Sequence, residues 1–170
     1  MNNSNTLTAQ TILQVEDDEN DIFFLKLALG KNKMDSGLHV VEDGEEAIAY
    51  LRGDRKFSDR AHHPLPDLIL LDLKLPHVMG LDVLKWIRSQ PSFDMTVVII
   101  LTSSQQRSDI QEACSIGANS YLLKPTNPID LVETMRLVKD YWLARNQPTA
   151  TRGLGSQVGL LPAKASSPPP

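Results

Sequence analysis

Four short apolar runs, each ending in a polar residue, constrain the fold of this 170-residue chain more than any other feature. Residues 12–15, 68–71, 96–101 and 121–123 have the length and apolar content of buried β-strands. A weaker run at 38–41 adds another strand, and helical patterns separate the runs. Strands that alternate with helices predict a parallel sheet with helices on both faces and right-handed crossovers.

The five predicted strands fit the doubly wound order 2-1-3-4-5, which is the flavodoxin-like α/β arrangement. Helices are predicted at residues 20–31, 45–51, 80–89 and 107–116, and a last helix begins at Pro128 with Asn127 as its N-cap. In such a sheet the carboxyl ends of the strands meet at one edge, where ligands bind. The residues that follow the strands are therefore the candidate functional residues.

The composition predicts one folded domain between two unstructured ends. Residues 11–146 are long enough for a single core, and 41% of the whole chain is hydrophobic. The polar residues 1–10 are predicted to be a flexible N-terminus. Residues 147–170 are rich in Pro, Gly and Ser and contain no aromatic or acidic residue, so we predict a disordered tail there.

Charge and hydropathy argue against several functional classes. The net charge of -4 does not suit a nucleic-acid surface. No apolar run is long enough to span a membrane, and the N-terminus lacks the pattern of a signal peptide, so we expect a cytoplasmic protein. Cys114 is the only cysteine, which excludes an internal disulfide, and its position between Ala113 and Ile116 predicts a buried thiol.

Acidic residues follow two strands that the predicted order makes neighbours. Glu16 and Asp17 follow the first strand, and Asp72 follows the third. Carboxylates this close repel one another without a cation, and oxygen ligands suit Mg2+. We expect Asp17 and Asp72 to bind Mg2+ directly and Glu16 to bind it through water, with the main-chain carbonyl of Lys74 as a further ligand. Asp72 is also a candidate nucleophile toward phosphorus.

Two other strand ends carry groups that suit a phosphoryl group. Thr102 follows the fourth strand and can donate its hydroxyl to a phosphoryl oxygen, while the small Ser103 leaves space for that group. Lys124 follows the fifth strand, and its ammonium can oppose the carboxylates and bind phosphate. Each residue alone could belong to an ordinary loop, but together these strand ends favour a site. The Lys124–Pro125 bond is a candidate for the cis isomer.

These motifs resemble the receiver domain of bacterial two-component response regulators. The similarity covers about residues 10–145, and its motifs are Val15-Glu16-Asp17, Leu71-Asp72-Leu-Lys-Leu-Pro76 with Gly80, Leu101-Thr102-Ser103 and Tyr121-x-x-Lys124-Pro125. The Asp72 motif and the proline-containing loop before it are similar to those of single-domain receivers associated with phytochrome-type sensor kinases. The resemblance implies Mg2+-dependent transfer of a phosphoryl group from a histidine to Asp72. It also implies a switch in which Thr102 moves toward the phosphate and Tyr121 turns inward.

The resemblance implies partners as well. A sensor histidine kinase or a histidine phosphotransfer protein would supply the phosphoryl group, and a homodimer is a candidate assembly. No output domain follows the receiver pattern, so we expect a single-domain signalling protein rather than an enzyme. At most it would phosphorylate and dephosphorylate itself slowly in the presence of Mg2+. Glu16 stands where the family more often has Asp, and its longer side chain could reach the metal directly rather than through water.

The first predicted helix has more apolar residues than its core face needs. We predict that its inward positions are Ile22, Phe24, Leu25, Ala28 and Leu29. Phe23 and Leu27, spaced i, i+4, form a second stripe. Family resemblance places kinase docking on this helix, so these two residues are candidates for partner docking, with packing under a loop as the alternative.

Two other classes of protein remain as alternatives. The first is a phosphatase or phosphotransferase with an Asp nucleophile on a related sheet. It would need a general acid two residues after Asp72, where this chain has Lys74. The second is a flavin-binding module, which would need a phosphate-binding loop after the first strand. Glu16, Asp17 and Asp18 stand there and would repel phosphate.

Overall fold

The computed structural model describes residues 10–143, which form one parallel five-stranded sheet with helices on both faces. The strands are β1 (Ile12–Val15), β2 (Leu38–Val41), β3 (Leu68–Leu71), β4 (Val97–Thr102) and β5 (Ser120–Leu123). Their order across the sheet is β2-β1-β3-β4-β5, so the predicted topology is confirmed. Val15 at the end of β1 pairs with Val41 on one side and Leu71 on the other, which brings these three strand ends level.

The α-helices are α1 (Glu19–Lys31), α2 (Gly44–Arg52), α3 (Gly80–Arg88), α4 (Arg107–Ile116) and α5 (Pro128–Val138). Side-chain caps set where three of them begin, with Asp18 before α1, Asp43 before α2 and Asn127 before α5. Asp18 accepts hydrogen bonds from the backbone N–H groups of Asn20 and Asp21, and Asn127 accepts one from Ile129 N, as predicted for the last helix. A π-helical turn at Lys139–Leu143 extends α5.

Alternate residues of the central strands point to opposite faces and build two cores. Leu13 and Val15 belong to a core with α2, α3 and α4, whereas Ile12 belongs to a core with α1 and α5. The strands β3 and β4 are buried throughout and contribute to both cores, as expected for parallel strands covered on both faces. Each polar residue at a strand end therefore emerges between two helix layers.

Three local predictions are wrong. Phe24 is 39% exposed rather than inward, because the buried face of α1 consists of Leu25, Ala28 and Leu29. Cys114 is exposed, because Ala113 occupies the core-facing position of α4 and adjacent helical residues point about 100° apart. The described peptide bonds are all trans, the Lys124–Pro125 bond included.

The ends of the chain lie outside the described residues. The predicted flexible N-terminus, residues 1–10, lies outside them apart from Gln10, and the predicted disordered tail, residues 147–170, lies outside them entirely, so both remain predictions. Gln10 Nε2 donates a hydrogen bond to Leu143 O, which joins the two limits of the described part. Within residues 10–143, no helix combines the length and apolar character needed to cross a membrane.

Candidate functional site

The carboxylates predicted to bind a cation lie together at the carboxyl edge of the sheet. Glu16 and Asp17 follow β1, Asp72 follows β3, and these two strands are hydrogen-bonded neighbours. One carboxylate oxygen from each of the three residues lies within 4.8 Å of the other two. Glu16 N donates to Val41 O and Asp72 N donates to Val15 O, so sheet-type hydrogen bonds hold both backbones in place.

The three carboxylates differ in burial. Glu16 is 3% exposed and Asp72 is 6% exposed, whereas Asp17 is exposed at the rim. Burial raises the pKa of Glu16 to about 7, although the hydrogen bond and charge of Lys124 act in the opposite direction. An all-oxygen set with one exposed member fits a hard divalent cation that keeps part of its water shell.

Lys124 supplies the counter-charge. Its Nζ lies 2.5 Å from Glu16 Oε2, 2.7 Å from Asp21 Oδ2 and 2.8 Å from Asp72 Oδ2. Burial lowers the pKa of Lys124, but the hydrogen bonds to these three carboxylates outweigh it and hold the pKa above its ordinary value. Lys124 N donates to Thr102 O, which places the side chain opposite the acids.

Asp21 is a site residue that sequence reasoning missed. It reads as one member of a run of exposed acids after β1. The Asp18 cap starts α1 close to the strand end, and the first turn of the helix then brings Asp21 to Lys124. The sequence signal for this position is Asp18, a capping residue directly after Glu16 and Asp17. The cap fixes where α1 begins and therefore where its first turn places Asp21.

The turn after β3 holds Asp72 in place. Its Oδ1 accepts hydrogen bonds from Leu73 N at 2.6 Å and Lys74 N at 3.3 Å, while its Oδ2 faces Lys124. Gly80, at the start of α3, lies so close that an added Cβ would sit 2.0 Å from the Asp72 carbonyl oxygen. Only glycine permits this approach. The metal-binding role predicted for the Lys74 carbonyl stays a prediction.

The hydroxyl groups predicted for phosphate binding lie at the end of β4, on its last residue Thr102 and on the following Ser103. Thr102 is fully buried, and its Oγ1 accepts a hydrogen bond from Ser104 N at 3.3 Å. Ser103 is exposed and lines a cavity beside Lys124. Tyr121 is partly buried, and its hydroxyl donates to Ser104 O at 3.0 Å. Burial raises the pKa of Tyr121.

Ser104 is the second residue that sequence reasoning missed. It is 4% exposed and joins Thr102 and Tyr121 through its backbone. Its Oγ also pairs with Asp109 Oδ2 at 2.5 Å, which ties the loop to the first turn of α4. A serine in a run of Ser and Gln carries no signal of burial, so the sequence gives no means of finding this residue.

Phe23 and Leu27 are exposed, as predicted. Phe23 is 56% exposed and Leu27 is 48% exposed, and both lie on α1 outside its buried face. Phe23 packs edge-on against Phe24, with ring centroids 5.6 Å apart. Leu27 lines a groove with Pro128 and Ile129 of α5. The docking role of these residues stays a prediction.

Known proteins share this sequence pattern. The family model of the response regulator receiver domain matches residues 12–136. Response regulator Rcp1 from Synechocystis sp. is 32% identical over 134 residues, which cover 79% of this chain and 89% of that protein.

Solved structures share the fold. The phosphorylated cyanobacterial phytochrome response regulator RcpA matches with a TM-score of 0.76 and 32% identity, over 82% of this chain and 98% of that chain. The Mn2+-bound form of Rcp1 matches with a TM-score of 0.73 and 31% identity, over 81% of this chain and 97% of that chain. The likeness thus extends over nearly the whole length of both structures.

Proposed function

This chain belongs to the response regulator receiver domain family, and on that premise we propose that Asp72 is its phosphorylation site. Response regulators are signalling proteins of two-component systems, and a receiver takes its phosphoryl group on an aspartate. The observation that carries the assignment to Asp72 is its convergence with two further carboxylates and Lys124 at one edge of the sheet. A phosphatase would need an acid two residues later, and the exposed Lys74 occupies that position.

Transfer would take place by direct displacement. An Asp72 carboxylate oxygen bonds to phosphorus as the P–N bond to the donor histidine breaks, and the imidazole keeps the electron pair of that bond. Leu73 N and Lys74 N orient the carboxylate before the reaction. Lys124 already lies 2.8 Å from Asp72 Oδ2, so its ammonium is placed to bind a phosphoryl oxygen. Thr102 and Ser103 would border the same group on the β4 side.

We further propose Mg2+ as the cation of the site. Glu16, Asp17, Asp72 and the main-chain carbonyl of Lys74 would hold it, since a cation-sized cluster of carboxylate oxygens is already assembled there. When bound, Mg2+ would offset the negative charge of the carboxylates and of the incoming phosphoryl group. The exposed carboxylate of Asp17 gives the ion a path from solvent.

The switch would run through Ser104. In the proposed phosphorylated state, the Thr102 hydroxyl donates to a phosphoryl oxygen, which moves the atom that now accepts from Ser104 N. Ser104 also binds Tyr121 and Asp109, so a shift of its backbone reaches β5 and α4 together. A surface that includes α4 and Tyr121 would then report phosphorylation to a partner.

The proposed phosphodonor is a sensor histidine kinase or a histidine phosphotransfer protein in the cytoplasm, docked beside Phe23 and Leu27. Self-phosphorylation and self-dephosphorylation would be slow and dependent on Mg2+. Self-association into a homodimer is also proposed, and sedimentation before and after phosphorylation would test it. A single monomeric species in both states would exclude the homodimer.

Phosphorylation by acetyl phosphate tests the assignment of Asp72. With Mg2+ present, the intact mass should increase by one phosphoryl group, and Asp72→Asn should abolish this increase. Asp94→Asn is the matched control, since Asp94 is an exposed aspartate in the loop before β4, and it should be labelled like the wild type. Persistent labelling of Asp72→Asn at the wild-type rate would show that another residue accepts the group.

A further inference from the structure

The ammonium of Lys124 is already matched by as many acceptors as it has donors. A lysine ammonium carries three N–H groups. Carboxylate oxygens of Glu16, Asp21 and Asp72 lie 2.5, 2.7 and 2.8 Å from its Nζ. A phosphoryl oxygen that binds this ammonium must therefore take the place of a carboxylate that is now in contact with it.

The three carboxylates differ in how easily they can leave Lys124. The side chains of Glu16 and Asp72 are 4% and 7% exposed, so either one would lose its counter-charge inside the protein. The side chain of Asp21 is 43% exposed, and water can replace the ammonium there with little loss of free energy. Asp21 is therefore the partner that Lys124 releases most easily.

Asp21 also stands apart from the proposed metal site. Among residues 10–143, the carboxylates grouped closely enough to hold a cation are those of Glu16, Asp17 and Asp72. Asp21 lies in the first turn of α1, where its backbone N–H donates to the capping side chain of Asp18. Its carboxylate occupies Lys124 and adds negative charge beside the site. Both effects oppose the approach of an anionic phosphoryl group.

On the premise that Asp72 accepts the phosphoryl group, we propose that Asp21 restrains phosphorylation by competing with that group for Lys124. Asp21 is thus a positioning residue that acts through the ammonium. After transfer, a phosphoryl oxygen takes the place of Asp21 Oδ2 beside Nζ, and the freed carboxylate turns to water. The same exchange unties the first turn of α1 from Lys124, so the state of Asp72 reaches the helix that carries Phe23 and Leu27.

The initial rate of labelling by acetyl phosphate, measured on the full-length protein with Mg2+, tests this restraint. Asp21→Asn should raise the rate about five-fold, because a neutral amide competes for the ammonium more weakly than a carboxylate does. Asp21→Ala, which removes the competing oxygen, should raise it at least as much.

Glu19→Gln is the matched control for these two variants. Glu19 is an exposed acid in the same helical turn, and its replacement removes the same charge while it leaves the three Lys124 contacts in place. Its labelling rate should stay within about two-fold of the wild type, because the field of an exposed charge is screened by salt.

Carbon NMR of the side-chain carboxyl groups follows Asp21 without any transfer reaction. When beryllofluoride and Mg2+ bind, the Asp21 signal should move toward the position that it has in Lys124→Met, since the ammonium leaves this carboxylate in both cases. The Glu19 signal should move little.

Three results would overturn the proposal. They are an unchanged or lower labelling rate in Asp21→Asn, an equal increase in Glu19→Gln, and an Asp21 carboxyl signal that does not move when beryllofluoride binds. Failure of the phosphorylation site itself looks different. In that case the wild type takes up no phosphoryl group, or Asp72→Asn takes it up equally, and the role of Asp21 falls with it.

Discussion

The proposed phosphorylation site has an acid side and a hydroxyl side, and the two satisfy their polar groups differently. On the acid side, after β1 and β3, the ammonium of Lys124 lies 2.5 to 2.8 Å from the carboxylates of Glu16, Asp21 and Asp72. On the hydroxyl side, Thr102 at the end of β4 and Tyr121 within β5 both bond to the backbone of Ser104. The acid side is held together by the balance of its charges, whereas the hydroxyl side is held together by the positions of its hydrogen-bonding atoms.

This difference separates two tasks. Adding a cation or a phosphoryl group changes the charge balance of the acid side directly, because buried charges interact strongly. The hydroxyl side carries no net charge at Thr102 or Tyr121 and responds only when an atom moves. We infer that the acid side performs the chemistry and that the hydroxyl side transmits the result to α4 through Ser104 and Asp109.

The largest expected effect tests the charge balance of the acid side. Lys124→Met leaves Glu16 and Asp72 buried without their counter-charge, so the free energy of unfolding in EDTA should fall by about 3 kcal/mol. Mg2+ should restore part of this loss, because a cation can replace the ammonium. Urea unfolding with and without Mg2+ measures both effects. Lys85→Met, which removes a surface ion pair with Glu112, is the control and should change the free energy of unfolding little. An equally small change for Lys124→Met would show that the acid side does not depend on this counter-charge.

The next effect concerns how a donor reaches the acid side. Phe23→Ala combined with Leu27→Ala should slow transfer from a phosphohistidine donor at least several-fold, because exposed apolar groups beside a reactive site favour docking. Labelling by acetyl phosphate should hardly change, since that donor needs no docking. Met95→Ala, 74% exposed at the opposite edge of the sheet, is the control. Equal loss with both donors would mean that Phe23 and Leu27 are structural.

A smaller effect is expected on the hydroxyl side. Tyr121→Phe removes the hydrogen bond to Ser104 O and should lower the free energy of unfolding by about 1 kcal/mol. Its Mg2+ affinity and its labelling by acetyl phosphate should stay within two-fold of wild type, roughly the resolution of such assays. Urea unfolding and mass spectrometry provide these values. A large loss of Mg2+ affinity would show that the two sides are not separate.

The smallest effect is expected for the chain end. A chain that stops at Asn146 should keep both sides of the site intact, because residues 147–170 have too little apolar content to pack firmly. Its melting temperature and its labelling by acetyl phosphate should match those of the full chain. A clear drop in melting temperature would show that the tail docks on the domain, with Leu160 and Leu161 as the first residues to test.

The sequence was sufficient to predict the acid side in outline. Glu16, Asp17 and Asp72 each follow an apolar run, and the doubly wound order makes those strands neighbours, so their proximity follows from topology alone. The partners of Lys124 were less predictable. Glu16 and Asp72 were expected opposite it, but Asp21 depends on where the Asp18 cap turns α1.

Side-chain direction and hydrogen-bond choice were the parts that could not be predicted. Apolar residues occupy nearly every position from Ile22 to Leu29, so the pattern did not fix which face of α1 is buried, and Phe24 was placed wrongly. Ser104 gains its role only through burial beneath Tyr121 and contact with Asp109. Such contacts depend on tertiary packing, which sequence spacing does not record.

Beryllofluoride binding tests the central claim most directly, because this ion mimics a phosphoryl group on aspartate without a transfer reaction. Fluorine NMR should show the signal of protein-bound beryllofluoride only when Mg2+ is present. The bound signal should disappear in Asp72→Asn and weaken strongly in Asp17→Asn, while Asp35→Asn, an exposed aspartate before β2, should behave as wild type. Full binding in EDTA, or an unchanged signal in Asp72→Asn, would contradict a Mg2+-dependent phosphoryl site built on Asp72.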